Sequence, residues 1–265
     1  MAVGNRQITQ VAAGTVDTDA VNLNQLNVVA GNVATNTSNI ATNTTNIATN
    51  TANIATNTAG NAANTQELRL FAASGTVDTV APGTNALAAG NAASASGSGS
   101  VALGDTATTA QLQSIAIGQA ATAGSDSTTV VGAFSSATNS FGTVLGAQNT
   151  ATGLQSTALG SGNLASGPRS TVVGTQSTAS GATSVAVGNL ARATDVDAVA
   201  LGNTAVASGF HSTAVGGLAV ASGRGAQAFG WQASAIGNLS LAAGHQASAT
   251  GIQATALGKS SSASG

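Results

Sequence analysis

Ser156-Thr157-Ala158-Leu159-Gly160 returns fourteen residues later as Ser170-Thr171-Val172-Val173-Gly174, and again as Ser184-Val185-Ala186-Val187-Gly188. Worked outward in both directions, a glycine stands at every fourteenth position from Gly90 to Gly258 without a slip. Seven residues after each comes a second glycine series: Gly97, Gly153, Gly167, Gly181, Gly209, Gly223, Gly237, Gly251 and Gly265. Gln111, Ser125, Asn139 and Asp195 interrupt that series. Between glycines the residues alternate as strands do. Two short strands per repeat, joined by two glycine corners, describe a flattened parallel β-roll with one coil per repeat. The second corner is expected to need left-handed backbone, which Asn139 and Asp195 tolerate in place of glycine.

Side-chain size assigns the faces. Two residues before each strong glycine stands Ala or Val (Ala102, Ala116, Val130, Val144, Ala158), and five residues after it stands Ala in every repeat but one, Thr109. Such small residues suit the inside of a thin roll. The residue just before the glycine points the opposite way and is large: Leu103, Ile117, Val131, Leu145, Leu159, Val173, Val187, Leu201, Val215, Phe229 and Leu257. A lone roll would expose this stripe along its length. At about 1.5–3 kcal/mol per buried side chain, it supplies tens of kcal/mol toward association. The roll is therefore expected to be an oligomer, with these residues at its shared core.

A second repeat, of period seven, precedes the first. Leu26, Val33, Ile40, Ile47 and Ile54 occupy one register, and Asn36, Asn43, Asn50, Asn57 and Asn64 another three residues on. Ile at a and Asn at d make a heptad coiled coil, despite the poor helix propensity of Thr and Asn. A Thr-rich strand is the rival reading, but odd spacing would flip successive Ile to opposite strand faces. From Ala20 to Gln66 no residue is charged, so ion pairs select no partner there.

Composition narrows the function classes. The 265 residues carry 5% charged and 2% aromatic side chains, no Cys, and a formal net charge of −2. Too few large side chains remain to fill one globular core of this length, and the net charge is too low for typical disorder. The six basic residues are scattered, so no nucleic-acid footprint exists. No apolar run reaches the length of a membrane helix, and Met1–Arg6 lack the apolar core of a secretory signal. The chain is not expected to be an enzyme. Gly258-Lys259-Ser260 ends like a P-loop but has Gln253 where the motif needs glycine, and a thin roll offers no pocket for paired carboxylates.

The Asn-bearing heptad, the fourteen-residue roll and the N-terminal string Ile8-Thr9-Gln10-Val11-Ala12-Ala13-Gly14, Asp17-Thr18-Asp19-Ala20-Val21-Asn22, Gln25-Leu26 together resemble the trimeric autotransporter adhesins of Gram-negative bacteria, the YadA-like group. The resemblance covers nearly the whole chain. It implies a mixed fibrous fold: a parallel trimeric coiled coil followed by a left-handed parallel β-roll trimer. On that pattern residues 1–25 form a neck adaptor, 26–68 the stalk, 69–86 a connector and 87–265 the head. It also implies display on the bacterial cell surface, with outer-membrane anchoring by a C-terminal part outside this sequence and no membrane contact by this segment. Neck and stalk precede the head here, the reverse of the family's common order, so an internal fibre segment with another head upstream is expected.

Candidate sites follow from the residues and, in the stalk, from the resemblance as well. Three Asn at one d layer of a parallel trimer place amide groups around the axis, where converging NH₂ groups suit a halide-like anion. The family's use of such layers extends to Asn36, Asn43, Asn50 and Asn57; the alternative is water in layers that serve register alone. No other cofactor is expected. Phe134, Phe210, His211, Arg224, Trp231 and His245 gather at the corners as candidate contacts for a host or matrix ligand, against the reading that the aromatics pack between protomers. The two His are 34 residues apart, not a multiple of fourteen, so no metal site is expected. Asp195 and Asp197 are candidate partners of Arg192 in a surface cluster. Three functions remain: an adhesin, a spacer presenting another head, and an ice-binding solenoid using Thr129, Thr143, Thr157, Thr171, Thr213 and Thr255.

Overall fold

The computed structural model of the chain describes residues 4–5, 7–68 and 81–265. Most of the expected connector, residues 69–80, lies outside the described residues. Two compact units meet at residue 67, and each is described by itself.

The first unit is a neck turn that leads into one helix, α1 (Leu23–Leu68). Asn22 caps it: its Oδ1 accepts from the Gln25 amide at 2.9 Å, while Gln25 Oε1 accepts from the Asn22 amide at 3.2 Å. This is the reciprocal capping arrangement. Gln25 also clamps the incoming chain, accepting from Gly14 N and donating to Gly14 O, both at 3.0 Å. Asp19 closes the turn by accepting from the amides of Thr15 and Val16. These two backbone donors hold its carboxyl below the usual aspartate range. Further along, the threonines spend their hydroxyls on the helix itself. Thr37, Thr44, Thr51 and Thr58 each donate to the carbonyl four residues back, at Val33, Ile40, Ile47 and Ile54. That back-bonding satisfies the side chains of a stretch whose propensity alone would not hold a helix.

The second unit is a parallel β-solenoid. Strands β1 (Leu87–Ala89) to β26 (Ser262–Ala263) alternate between two thirteen-stranded sheets, odd-numbered strands in one and even-numbered strands in the other. Each strand pairs in parallel with the strand fourteen residues on, as in Leu87↔Val101 and Ser94↔Thr108. Hydrogen bonds of the same kind begin at Gly83, whose amide donates to Ala95 O. Coil geometry thus includes residues 83–86, which the sequence pattern placed in the connector. The space between the sheets is filled almost wholly by alanine, and Val130, Val144 and Val172 are the largest buried aliphatic side chains. A core of methyl groups brings the two sheets close, as the sequence requires.

At the corners the structure corrects one expectation. The strong glycines do adopt positive φ, such as 138° at Gly174, but the second series does not. Gly167 is needed for space instead: a Cβ there would lie 1.9 Å from Gly181 O in the next coil. The left-handed residues sit two positions past each glycine of either series and are mostly not glycine, among them Gln148 (58°), Gln155 (57°), His211 (57°) and Leu239 (58°). Each such conformation costs about 1–2 kcal/mol. Bonds to the preceding coil hold it, as Gln148 N→Ala133 O at 2.9 Å and Gln155 N→Ser140 O at 3.1 Å show.

The middle coils contain a buried polar ladder whose side chains bond from one coil to the next. Ser135, Asn149, Asn163 and Ser177 occupy inner positions filled by Ala in most other coils. Asn163 Nδ2 donates to Leu159 O at 2.8 Å and Gly174 O at 2.6 Å, and its Oδ1 accepts from Ser177 N at 2.9 Å. Asn149 repeats the pattern one coil earlier with Leu145 O, Gly160 O and Asn163 N. Where Ala fills this position away from the ladder, its amide turns back to the glycine of its own coil, as Ala107 N→Gly104 O, whereas the Ala191 amide donates to Ser177 Oγ at the ladder's end. The side-chain ladder replaces that turn, and the strands there lengthen to five residues: β9 (Thr143–Ala147), β11 (Thr157–Ser161), β13 (Thr171–Thr175) and β15 (Val185–Asn189).

Candidate association faces and corner sites

The stalk helix presents its apolar register openly: Ile40, Ile47 and Ile54 are each 65% exposed. Asn36, Asn43, Asn50 and Asn57 lie beside them, one turn on, and are exposed as well. Their side-chain amides make no hydrogen bond among the described residues, in contrast to the back-bonded threonines around them. Donors and acceptors on that stripe are free for use between helices.

On the roll, the two outer faces differ in kind. Leu103, Ile117, Val131, Leu145, Leu159, Val173, Val187, Leu201, Val215 and Phe229 align residue by residue in one column of the odd-stranded sheet, which Ala243 and Leu257 continue. All point out of the roll; Leu103, Val131, Leu159, Val187, Leu201 and Val215 are half-buried, and Ile117, Leu145, Val173, Phe229 and Leu257 exposed. The threonines that stand three residues before six of the strong glycines, among them Thr143, Thr157 and Thr171, share this face. The outer face of the even-stranded sheet is instead largely hydroxylic, with Ser94, Thr108, Thr122, Ser136 and Thr150 in register, followed by Leu164, Thr178, Arg192, Val206 and Val220. The continuous column of large apolar side chains is on the first face.

At the corners, side chains meet at intervals of fourteen because each coil stacks on the last. Asn91 Nδ2 donates to Asp105 Oδ1 at 2.9 Å, and Gln246 Nε2 donates to Gln232 Oε1 at 2.9 Å. The same rule decides the charges. Asp197 pairs with His211, Nε2 to Oδ2 at 3.0 Å, and accepts from the hydroxyl of Thr183. Arg192 is not its partner, since it lies in β16 (Arg192–Ala193) on a strand face and not at the corner. Asp195 accepts from Val196 N at 2.7 Å.

The six corner candidates fall into three places. Phe210, His211 and Arg224 come together on the corner after the even strands: the Phe210 and His211 rings stack at 3.9 Å, and the Arg224 guanidinium lies 4.9 Å over the Phe210 centroid. Trp231 and His245 stack at 4.7 Å on the opposite corner, where Trp231 leans over Gly217. The two His are thus on different corners. Phe134 stands apart, exposed, at a left-handed position. Sequence reasoning overlooked Gly225 and Leu239, which complete a recess with Phe210, His211 and Arg224. The signal was present: Gly225 is a glycine outside both periodic series.

Comparison with known families agrees with this geometry. A model described as the coiled stalk of trimeric autotransporter adhesins matches residues 7–49. A model described as the YadA head domain repeat matches in nine stretches between residues 81 and 265. Comparison with curated protein sequences finds no match. Among the described residues no helix is long and apolar enough to cross a membrane. With the head repeats matched over more than half of its length, the chain belongs to the YadA-like trimeric autotransporter adhesins.

Proposed function

We propose that this chain is a fibre segment displayed on the bacterial cell surface, attaching the cell to host cells, extracellular matrix or other surfaces through its roll head. The observation that carries the reading is the two-sidedness of the roll: one apolar face suited to assembly, with rigid polar and aromatic corners left to meet a partner. Three copies associate through the odd-stranded face and the stalk register, and the anchor in the outer membrane is a C-terminal part outside this sequence. The test is binding of the purified oligomer to collagen, fibronectin, cell layers and abiotic surfaces. Retention on at least one supports the reading; no retention on any favours a spacer.

Within the stalk, the unpartnered amides of Asn36, Asn43, Asn50 and Asn57 turn toward the axis and hold halide-like anions. Bromide substitution with anomalous diffraction reads this directly. Bromide peaks on the axis at one or more of the four layers support it, and axial density explained by water at every layer refutes it.

A further inference from the structure

Corner side chains stack in columns fourteen residues apart, and one column runs Asp197, His211, Gly225, Leu239, Gln253, all with left-handed φ between 55° and 66°. Like Gly99 further down the same column, Gly225 has no side chain, so one layer of this stretch is missing. The gap is a recess of about 270 Å³ lined by Phe210, His211, Arg224, Gly225 and Leu239. A Cβ on Gly225 would lie 2.8 Å from Leu239 Cδ2, so the Leu239 side chain forms the wall on one side. The stacked Phe210 and His211 rings lie on the other.

The charges at the rim are unequal. His211 is engaged by Asp197, whereas Arg224, held over the Phe210 ring, has no carboxylate partner among the described residues. Its guanidinium offers a planar fork to an anion, and carboxylate fits that fork in two parallel hydrogen bonds. An occupant must therefore join a carboxylate to a body about one coil thick, ~4.8 Å. That body must be apolar on its flat faces, for Leu239 and the aromatic pair, and polar at the edge that faces solvent. A carboxylate on a flexible peptide stem lacks such a body; a sugar ring bearing the carboxylate directly satisfies both demands at once.

We infer that this recess binds a uronic-acid-type sugar, its ring replacing the missing layer at Gly225 and its carboxylate paired with Arg224. The inference deepens the adhesive reading above and names the ligand chemistry of one corner. The test is titration of the full, assembled chain with a galacturonate oligosaccharide, its neutral galactose counterpart and an oligoglutamate, at physiological salt. Gly225→Asn restores the missing side chain in a residue type that accepts the left-handed backbone, and Arg224→Gln removes the charge at similar size. Expected are binding of the galacturonate at least tenfold tighter than of either comparator, and a loss of tenfold or more in each variant with unchanged mass and circular dichroism. Equal binding of neutral sugar or oligoglutamate, or full affinity in a folded Gly225→Asn protein, overturns the inference. The adhesive reading fails separately: galacturonate binding by a chain that attaches to no surface leaves the recess standing and removes the adhesin. Surface attachment without galacturonate binding does the reverse.

Discussion

Replacing Asn163 by Ala puts the buried polar ladder to the test. Asn163 is 1% exposed and makes three side-chain hydrogen bonds, to Leu159 O, Gly174 O and Ser177 N. Truncation leaves the Ser177 amide without its acceptor, a cost of about 1–3 kcal/mol for an orphaned buried donor. Each carbonyl loses a bond of net value about 0.5–1.5 kcal/mol. The sum is a destabilisation between about 2 and about 6 kcal/mol per chain. Relaxation to the alanine-type turn would lower it, but β11 and its neighbours pair in register through Gly160 and Ser161, so one coil cannot change alone. Guanidinium unfolding of the head, followed by circular dichroism, reads the shift, with Asn203→Ala on the surface as control; the Asn203 side chain makes only exposed bonds, donating to Asn189 at 3.3 Å and accepting from the Thr204 hydroxyl at 3.2 Å. A loss under about 1 kcal/mol for Asn163→Ala, or a loss equal to the control's, would refute the idea that the ladder carries the middle coils.

Other substitutions probe the remaining contacts. Gly174→Ala places a side chain at φ 138° with its Cβ 1.8 Å from Gly188 O; a loss above about 3 kcal/mol, or failure to fold, is expected from strain and overlap together, whereas Gly225→Asn should fold normally. Leu201→Asp on the odd-stranded face should shift the sedimentation coefficient toward the single chain, while Thr178→Asp on the opposite face should not. Asp19 has a folded pKa below its unfolded value near 3.9, so its contribution to the neck is present above that value. It is lost as pH falls through the lower, folded pKa. Protection of the Thr15 and Val16 amides, their exchange rate taken relative to the intrinsic rate at each pH, should therefore fall at acid pH, and Asp19→Asn should abolish that pH dependence of protection.

Much of this architecture is written in local spacing. A fourteen-residue glycine period with alternating size between glycines leaves one arrangement for a chain without large side chains, and the heptad of Ile and Asn leaves one for the charge-free stretch. Periodicity also separated the inner alanines from the outer leucines and valines, because in a strand the face is decided by parity alone. What periodicity did not convey is how one coil meets the next. Whether a second-series glycine serves dihedral freedom or clearance depends on a carbonyl fourteen residues away, as Gly167 and Gly181 O show. The left-handed residues are hidden for the same reason: Gln155 and Leu239 carry no local mark of that conformation, which stacking imposes through bonds from the preceding coil. Likewise Asp197 meets His211 and not Arg192, and the recess at Gly225 exists only because four other side chains surround a vacant layer. Sequence determined the coil and its two faces, since both follow from spacing within one repeat. Only the stacked structure decided the corners, since their geometry is set by contacts between repeats.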